Sequence, residues 1–350
     1  MVIFVVKNMR LIILYTLIYQ CFSQYTHKHC HEHNEDHTIC NYMNKFSKTY
    51  EHRNDFKSRL DKLQLVKQLG EGYGYTSRSD FLKSEKGFNA AFSSRKKLYN
   101  TNKHSKHNPP DMMRNPKTFD LRNFKRVTQP DDQGQCGNCF AYAGAAAIEY
   151  WYAHLRQFKH TPPKFSVDEI TQCTSINNEP NSNCDGGLME YIYEYGEEFA
   201  MSFKMEYGHK TCYKRIAPSH IKIKSYDVQS IDDNENIEEH IPKLLLKYGV
   251  ITVGIDSDNN YIDNYVSGTF DETKCGTNID HAVAIVGYTE TDYIVKNSWG
   301  TDWGENGFFK LKRGVNACGL AEYVSYITDA TVQEKYKYTG PFIDSTSNES

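Results

Sequence analysis

The chain has 350 residues, 39% hydrophobic and 13% aromatic with 26 tyrosines, enough to bury the core of one large or two small domains. Its 41 basic and 44 acidic residues leave a net charge of −3 with no stripe of one sign, so nothing points to nucleic acid or an anionic lipid surface as partner.

At the N-terminus, Lys7 and Arg10 precede a short apolar run, Leu11 to Tyr19, followed by Cys21, Phe22 and Ser23. A basic flank, an apolar stretch and a small residue read as a signal peptide over residues 1–23. No segment has the length of a membrane span, so no stable membrane anchor is expected. The chain is therefore expected in the secretory pathway, extracellular or lysosomal, where cysteines tend to pair.

Residues 24–114 are polar and read as an irregular leader. His27, His29, His31, His33 and His37 surround Cys30, and imidazole and thiolate are metal ligands, but the expected state is a solvated, flexible segment rather than a metal site. Charged, helix-favouring residues run from Tyr50 to Gln68, then a glycine-rich stretch from Gly70 to Gly74. Arg95-Lys96-Lys97 and Asn108 to Arg114 look exposed and cleavable.

From Asn115 the texture changes. The alanine-rich run from Ala141 to Tyr152 predicts a helix from Cys139 to about His154. Ser166, with Glu169 three residues on, predicts an N-cap and a second helix to about Gln172, and Gly187 to Tyr195 a third. Beyond about Ile221 the pattern turns to strand: Ile251 to Ile255, Ala282 to Tyr288, Tyr293 to Lys296, and an alternating Gly307 to Lys312. Helices first and strands later indicate an α+β protein of two packed halves. Residues 331–350 read as a disordered tail, which carries the chain's only glycosylation sequon at Asn348.

Seven cysteines follow residue 114, at positions 136, 139, 173, 184, 212, 275 and 318, and an odd count leaves one unpaired. Cys139 at a helix start is the best candidate, because unpaired N–H groups and the helix dipole there favour thiolate, the nucleophilic form. Attack on an amide also needs a base, a group that orients the base, and donors for the oxyanion. His281 opens an apolar strand. Asn297 follows beyond a turn at Thr289 to Asp292, so two antiparallel strands would bring the two together. Trp299 and Trp303 fall beside Asn297, able to keep water from a histidine–amide hydrogen bond.

The run Gln133-Gly-Gln-Cys136-Gly-Asn-Cys139-Phe140, with His281 and Asn297 downstream, resembles the signature of the papain family of cysteine proteases. Phe119-Asp120-Leu121-Arg122, Asn183 to Met189 and Asn316 to Ala321 resemble further family segments in the same order, and the likeness spans 115–330. It implies a papain-like two-domain fold, one half helical and one β-barrel-like, with the active site in the cleft between them. It also implies a cathepsin L-like cysteine endopeptidase made as a zymogen, with residues 24–114 as its inhibitory propeptide. Cys139 would be the nucleophile, His281 its imidazolium partner and acid/base, Asn297 the residue that fixes the ring, and Gln133 an oxyanion donor with the Cys139 N–H.

Gly186 and Gly187 would bond an extended substrate through their backbone. Leu188, Met189, Gly254, Ile279, Ala282 and Tyr323 would line an apolar pocket for the second residue before the cut, with Asp280 and Trp299 completing the substrate-contacting set. Tyr323 is bulky enough to favour Leu or Val there over Phe. The implied disulfides are Cys136–Cys184, Cys173–Cys212 and Cys275–Cys318. No metal or organic cofactor is implied; the partners are protein or peptide substrates and the chain's own propeptide, and the mature form is expected to be a monomer.

Asn138 and Phe140 depart from the family's Ser and Trp, which should tune rather than abolish activity, and Leu121 replaces its Trp near the mature N-terminus. The propeptide is partly degenerate: Phe46 to Tyr50, Asp55 with Arg59, and Thr76 to Phe81 are similar to its inhibitory segments, while the positions between are out of register. Two rivals stay open: a catalytically inactive homologue that only binds peptides, and a metal-binding protein acting through the histidine-rich leader.

Overall fold

The computed structural model describes residues 24–80, 116–176, 179–180, 184–205, 220–232, 234–235 and 237–333. The expected signal peptide, the two basic cleavable stretches, Cys212 and the tail from residue 334 lie outside the described residues.

The leader is helical over the helix-favouring stretch read from Tyr50 to Gln68, whereas its first part departs from the expected irregular, solvated segment. It folds into α1 (His27–Glu32), α2 (His37–Lys45) and α3 (Arg53–Leu65), the last continued by one 3₁₀ turn, Val66–Gln68. Asp36 caps α2 by accepting from the N–H groups of Thr38 and Ile39. A disulfide joins Cys30 to Cys40 and so ties α1 to α2, which removes Cys30 as a metal ligand. Among the described residues no group of three or more His, Cys, Asp or Glu is arranged to hold a metal ion. Tyr25, Ile39, Tyr42, Met43, Tyr50, Phe56 and Leu63 close around the disulfide as a separate small core. Ile39, Tyr42, Met43 and Phe46 fall at helical spacing, as do Phe56, Leu60 and Leu63, but these apolar faces are narrow, and a covalent staple and aromatic rings add to them.

The chain then crosses to the main body. The N–H of Gly74 donates to Asn264 O (2.9 Å), and the N–H of Val266 to Gly72 O (2.8 Å). Thr76 Oγ1 donates to Asp263 O (2.6 Å), and Ser79 Oγ bonds Asn264 Oδ1 (2.5 Å).

In the helical half, α4 (Cys139–Leu155) is buried along almost its whole length, and its alanines let neighbours approach closely. It packs on α5 (Val167–Cys173) and α6 (Met189–Glu198). The Ser166 cap forms as predicted, Oγ accepting from Glu169 N–H at 3.0 Å. Two short strands, β2 (Ser175–Ile176) and β3 (Glu179–Pro180), pair with each other, and the other half is one mixed sheet of β1 (Phe119–Asp120), β4 (Ile221–Gln229), β5 (Ile251–Ile255), β6 (Thr269–Phe270), β7 (His281–Tyr288), β8 (Asp292–Lys296), β9 (Phe308–Lys312) and β10 (Val324–Val332). Its order is β4-β10-β5-β7-β8-β9-β6, with β1 against β7, and only β6 on β9 is parallel. β5 and β7 are buried on both faces, which is why they read as unbroken apolar runs.

A further helix, α7 (Ile237–Tyr248), was not anticipated, although Ile237, Ile241, Leu244, Leu245 and Tyr248 repeat at helical spacing and are all buried. β10 continues to Val332, two residues into the stretch expected to be a disordered tail, because it pairs with β4 along its length. No helix of the described residues is long and apolar enough to cross a membrane.

Candidate active site

Cys139 begins α4 and is the free cysteine among the described residues. Its Sγ accepts from the Ala282 N–H at 3.4 Å and no part of the residue reaches solvent. Ala282 follows His281 on β7, so the strand that carries the imidazole also holds the sulfur. In the full-length chain, burial opposes the thiolate that a helix start favours. Burial pushes the Cys139 thiol up to about 12, beyond what hydrogen bonds from the N–H groups of Ala282, Phe140 and Cys139 itself pull back, and the Asp280 charge adds to the rise. Removing a charge from water here outweighs the partial charge of a helix end.

The turn after β7, closed by Thr289 N–H on Asp292 O at 2.7 Å, returns the chain along β8 to Asn297. Asn297 Oδ1 accepts from His281 Nε2 at 2.8 Å and from the Ser298 N–H at 2.8 Å. The backbone donor orients the amide, and because its oxygen can only accept, Nε2 carries the proton. Trp299 stacks on the imidazole with ring centroids 4.9 Å apart, and Trp303 meets Trp299 edge-on at 5.0 Å. Gln133 is held beside the helix start: its N–H donates to Ser298 O (2.8 Å), its Oε1 accepts from Ser298 Oγ (2.6 Å), and its Nε2 donates to Cys136 O (2.7 Å).

The profile of the papain family cysteine proteases matches residues 115–328. The chain belongs to that family. Cathepsin L of Sarcophaga peregrina is 33% identical over 232 residues, covering 63% of this chain and 66% of its own length. Vignain of Ricinus communis is 34% identical over 231 residues, covering 60% of this chain and 59% of its own length. The chain thus spans about two thirds or less of the length of these curated relatives. Among solved structures, the proform of the ragweed pollen allergen Amb a 11, a cysteine protease, superposes with a TM-score of 0.66 at 25% identity, covering 82% of this chain and 92% of that one.

In this papain-family chain the Cys136–Cys184 and Cys275–Cys318 disulfides form as the resemblance implied. Cys173 is also disulfide-bonded, while Cys212 lies outside the described residues. The first pair, with Gly137 N–H on Cys184 O at 3.0 Å, draws the segment of Gly186 and Gly187 against the helix start. Gly186 has φ +100°, which only glycine adopts without strain. At Gly187 a Cβ would come within 2.7 Å of the Phe140 ring, so the residue after Cys139 and the glycine are matched in size.

The six residues expected to line the pocket are all buried. Leu188, Met189, Ile279, Ala282 and Tyr323 belong to one buried cluster, and the Gly254 N–H donates to Tyr323 O at 3.1 Å. Asp280 is buried, and its Oδ1 accepts from Ser257 N–H (2.7 Å) and Oγ (2.8 Å).

Two features escaped the sequence reading. Lys296, beside Asn297, keeps only 10% of its side chain exposed; its Nζ donates to Thr128 Oγ1 (2.7 Å) and lies 3.6 Å from Glu149 Oε2, and desolvation lowers its pKa. Thr128 Oγ1 in turn bonds Glu149 Oε2 at 2.6 Å. This network joins α4 to β8 behind the site and borders a cavity of about 20 Å³, room for a single water. A glutamate within an alanine-rich helix and a lysine within an apolar strand were the available signals. The other feature is Arg78, whose guanidinium lies over Trp299.

Proposed function

We propose that this chain is a cysteine endopeptidase made as a zymogen. The observation that carries the reading is the one free thiol among the described residues, at a helix start, held by the strand that also presents an asparagine-anchored, Trp-covered imidazole. In this reading Cys139 Sγ attacks the substrate carbonyl, and His281 Nδ1 takes the thiol proton and later delivers it to the leaving amine. Gln133 Nε2 and the Cys139 N–H bind the oxyanion. Asn297 and Trp299 hold the ring. Gly186 and Gly187 pair with the substrate backbone, and the apolar set from Leu188 to Tyr323 receives a hydrophobic side chain two positions before the cut.

Residues 1–23 act as a signal peptide that sends the chain to the lysosome or outside the cell, and residues 24–114 as a propeptide that keeps the site latent. The raised thiol pKa suits latency, since a protonated, buried sulfur is a poor nucleophile. Removing the leader would admit water and let the thiolate–imidazolium pair form. The mature enzyme is taken to act as a monomer on protein or peptide substrates.

Acid activation of the purified full-length chain, followed by N-terminal sequencing, epoxide titration and a peptide-cleavage profile, tests this. The expected result is one equivalent of label at Cys139, hydrolysis of peptides with Leu or Val two positions before the cut, and neither with Cys139→Ala. An activated chain that binds peptides yet neither labels nor cleaves would establish the inactive homologue instead.

A further inference from the structure

The Arg78 side chain is 1% exposed although it sits in the leader and carries a permanent charge. Its guanidinium carbon lies 4.7 Å from the centre of the Trp299 ring, and Nη1 donates to Gly134 O at 2.9 Å. The backbone that delivers it is pinned. The Arg78 N–H donates to Thr76 Oγ1 (3.1 Å), the Thr76 N–H to Ser79 Oγ (2.8 Å), and both hydroxyls bind the 263–264 segment of the main body. Two residues on, Asp80 is fastened to the leader core by Lys48 at 2.9 Å and by the Tyr50 hydroxyl at 2.8 Å. Arg78 is therefore presented to Trp299 by a turn held at both ends.

The place it occupies has a meaning for the reaction. Gly186 and Gly187, the latter packed against Phe140 beside Cys139, are assigned above to the residues before the cut. The leaving amine departs toward His281, which protonates it, so the residues after the cut pass over His281 and the ring stacked on it, Trp299. Gly134 neighbours the candidate oxyanion donor Gln133. Asp132, exposed and accepting from the Gly134 N–H at 2.9 Å, adds a negative charge to the same loop.

We propose that the Trp299 face and the Gly134 carbonyl form a subsite for an arginine side chain on the leaving-group side of the scissile bond, filled by Arg78 in the full-length chain and by substrate arginine after activation. The inference rests on the peptidase reading above and adds a substrate class to it: peptides with arginine among the first residues after the cut. A planar guanidinium stacks on the indole while donating in its own plane to a carbonyl; a lysine ammonium cannot do both.

Two measurements test it. The activated enzyme is given peptides identical before the cut and bearing Arg, Lys, Ala or Glu at each of the first three positions after it. At one position Arg should exceed Ala in kcat/KM by about tenfold, the scale of a desolvated cation–π contact, with Lys between them and Glu lowest. Arg no better than Ala at every position overturns the subsite. In the full-length chain, iodoacetamide alkylation of Cys139, which needs no catalysis, should be about tenfold faster in Arg78→Glu than in wild type, with Arg78→Lys closer to wild type. Wild-type alkylation in Arg78→Glu overturns the role of Arg78, provided thermal unfolding shows the leader still folded, and Arg78→Ala gives the same reading if Glu disrupts it. An activated chain that hydrolyses no peptide defeats the peptidase reading, whereas the alkylation result still decides whether Arg78 closes the site.

Discussion

Asn297→Ala removes one oxygen that two buried donors share, His281 Nε2 and the Ser298 N–H, each at 2.8 Å. Both donors lie in the interior beneath Trp299. A buried donor left without its acceptor costs about 1–3 kcal/mol, so the pair should cost the full-length chain about 2–5 kcal/mol in urea unfolding, toward the lower end if water enters the vacated space. The functional effect is separate. Trp299 restrains the imidazole against tilting but not against turning in its own plane, and that rotation carries the other ring nitrogen away from Cys139. Correct placement of a general base is worth about 10²–10⁴ in rate, so kcat/KM of the activated enzyme should fall by about 10² or more. Asn297→Asp keeps an acceptor for both donors and adds a negative charge beside the ring, so it should recover part of the rate and move the alkaline limb of the pH profile upward. An Asn297→Ala enzyme that unfolds earlier yet keeps kcat/KM within twofold of wild type would refute the claim that this amide orients the base.

Gly187→Ala places a methyl 2.7 Å from the Phe140 ring and should destabilise the chain by about 1–3 kcal/mol in thermal unfolding; combining it with Phe140→Leu should restore part of that loss, and strict additivity would show that the two do not touch. Replacing Cys30 and Cys40 together by Ser opens a loop with a sequence separation of 10, worth about 3 kcal/mol in chain entropy, and should speed limited proteolysis within residues 24–80 while leaving the activated enzyme's kcat/KM unchanged. Because the folded chain holds the Cys139 proton up to about 12, against an ordinary thiol value of 9.0, the unfolded chain loses that proton first as pH rises. The wild-type chain should therefore lose stability relative to Cys139→Ala above pH 9 by up to about 1.4 kcal/mol per pH unit, with no pH-dependent difference below it; a flat difference up to pH 11 would contradict the burial argument.

Much of the main body was legible because local rules and tertiary packing agree there. The α4 helix, the Ser166 cap, the strands holding His281 and the approach to Asn297, and the turn at Thr289 follow from periodicity and turn chemistry that neighbouring elements reinforce. Two disulfides followed from family resemblance rather than from any rule of spacing. In the leader, α3 lies within the stretch read as helix-favouring, while α1 and α2 depart from the expected solvated segment because the Cys30–Cys40 link and aromatic contacts between separate helices hold them. α7 was overlooked despite a regular pattern, and Lys296 with Glu149 looked like ordinary charges until their burial placed them behind the site.

Read linearly, the chain already names the groups available for chemistry: an odd thiol at a helix start, a histidine at the mouth of an apolar strand, and an amide one hairpin away. Those depend on residue type and on neighbours within one or two elements, which a linear chain records. The state of those groups comes from the fold. Whether Cys139 is thiol or thiolate is set by how much water surrounds it, and what lies on Trp299 is set by a leader residue more than two hundred positions away in the chain. Solvation and long-range contact are sums over the whole fold, and no local stretch of sequence carries them.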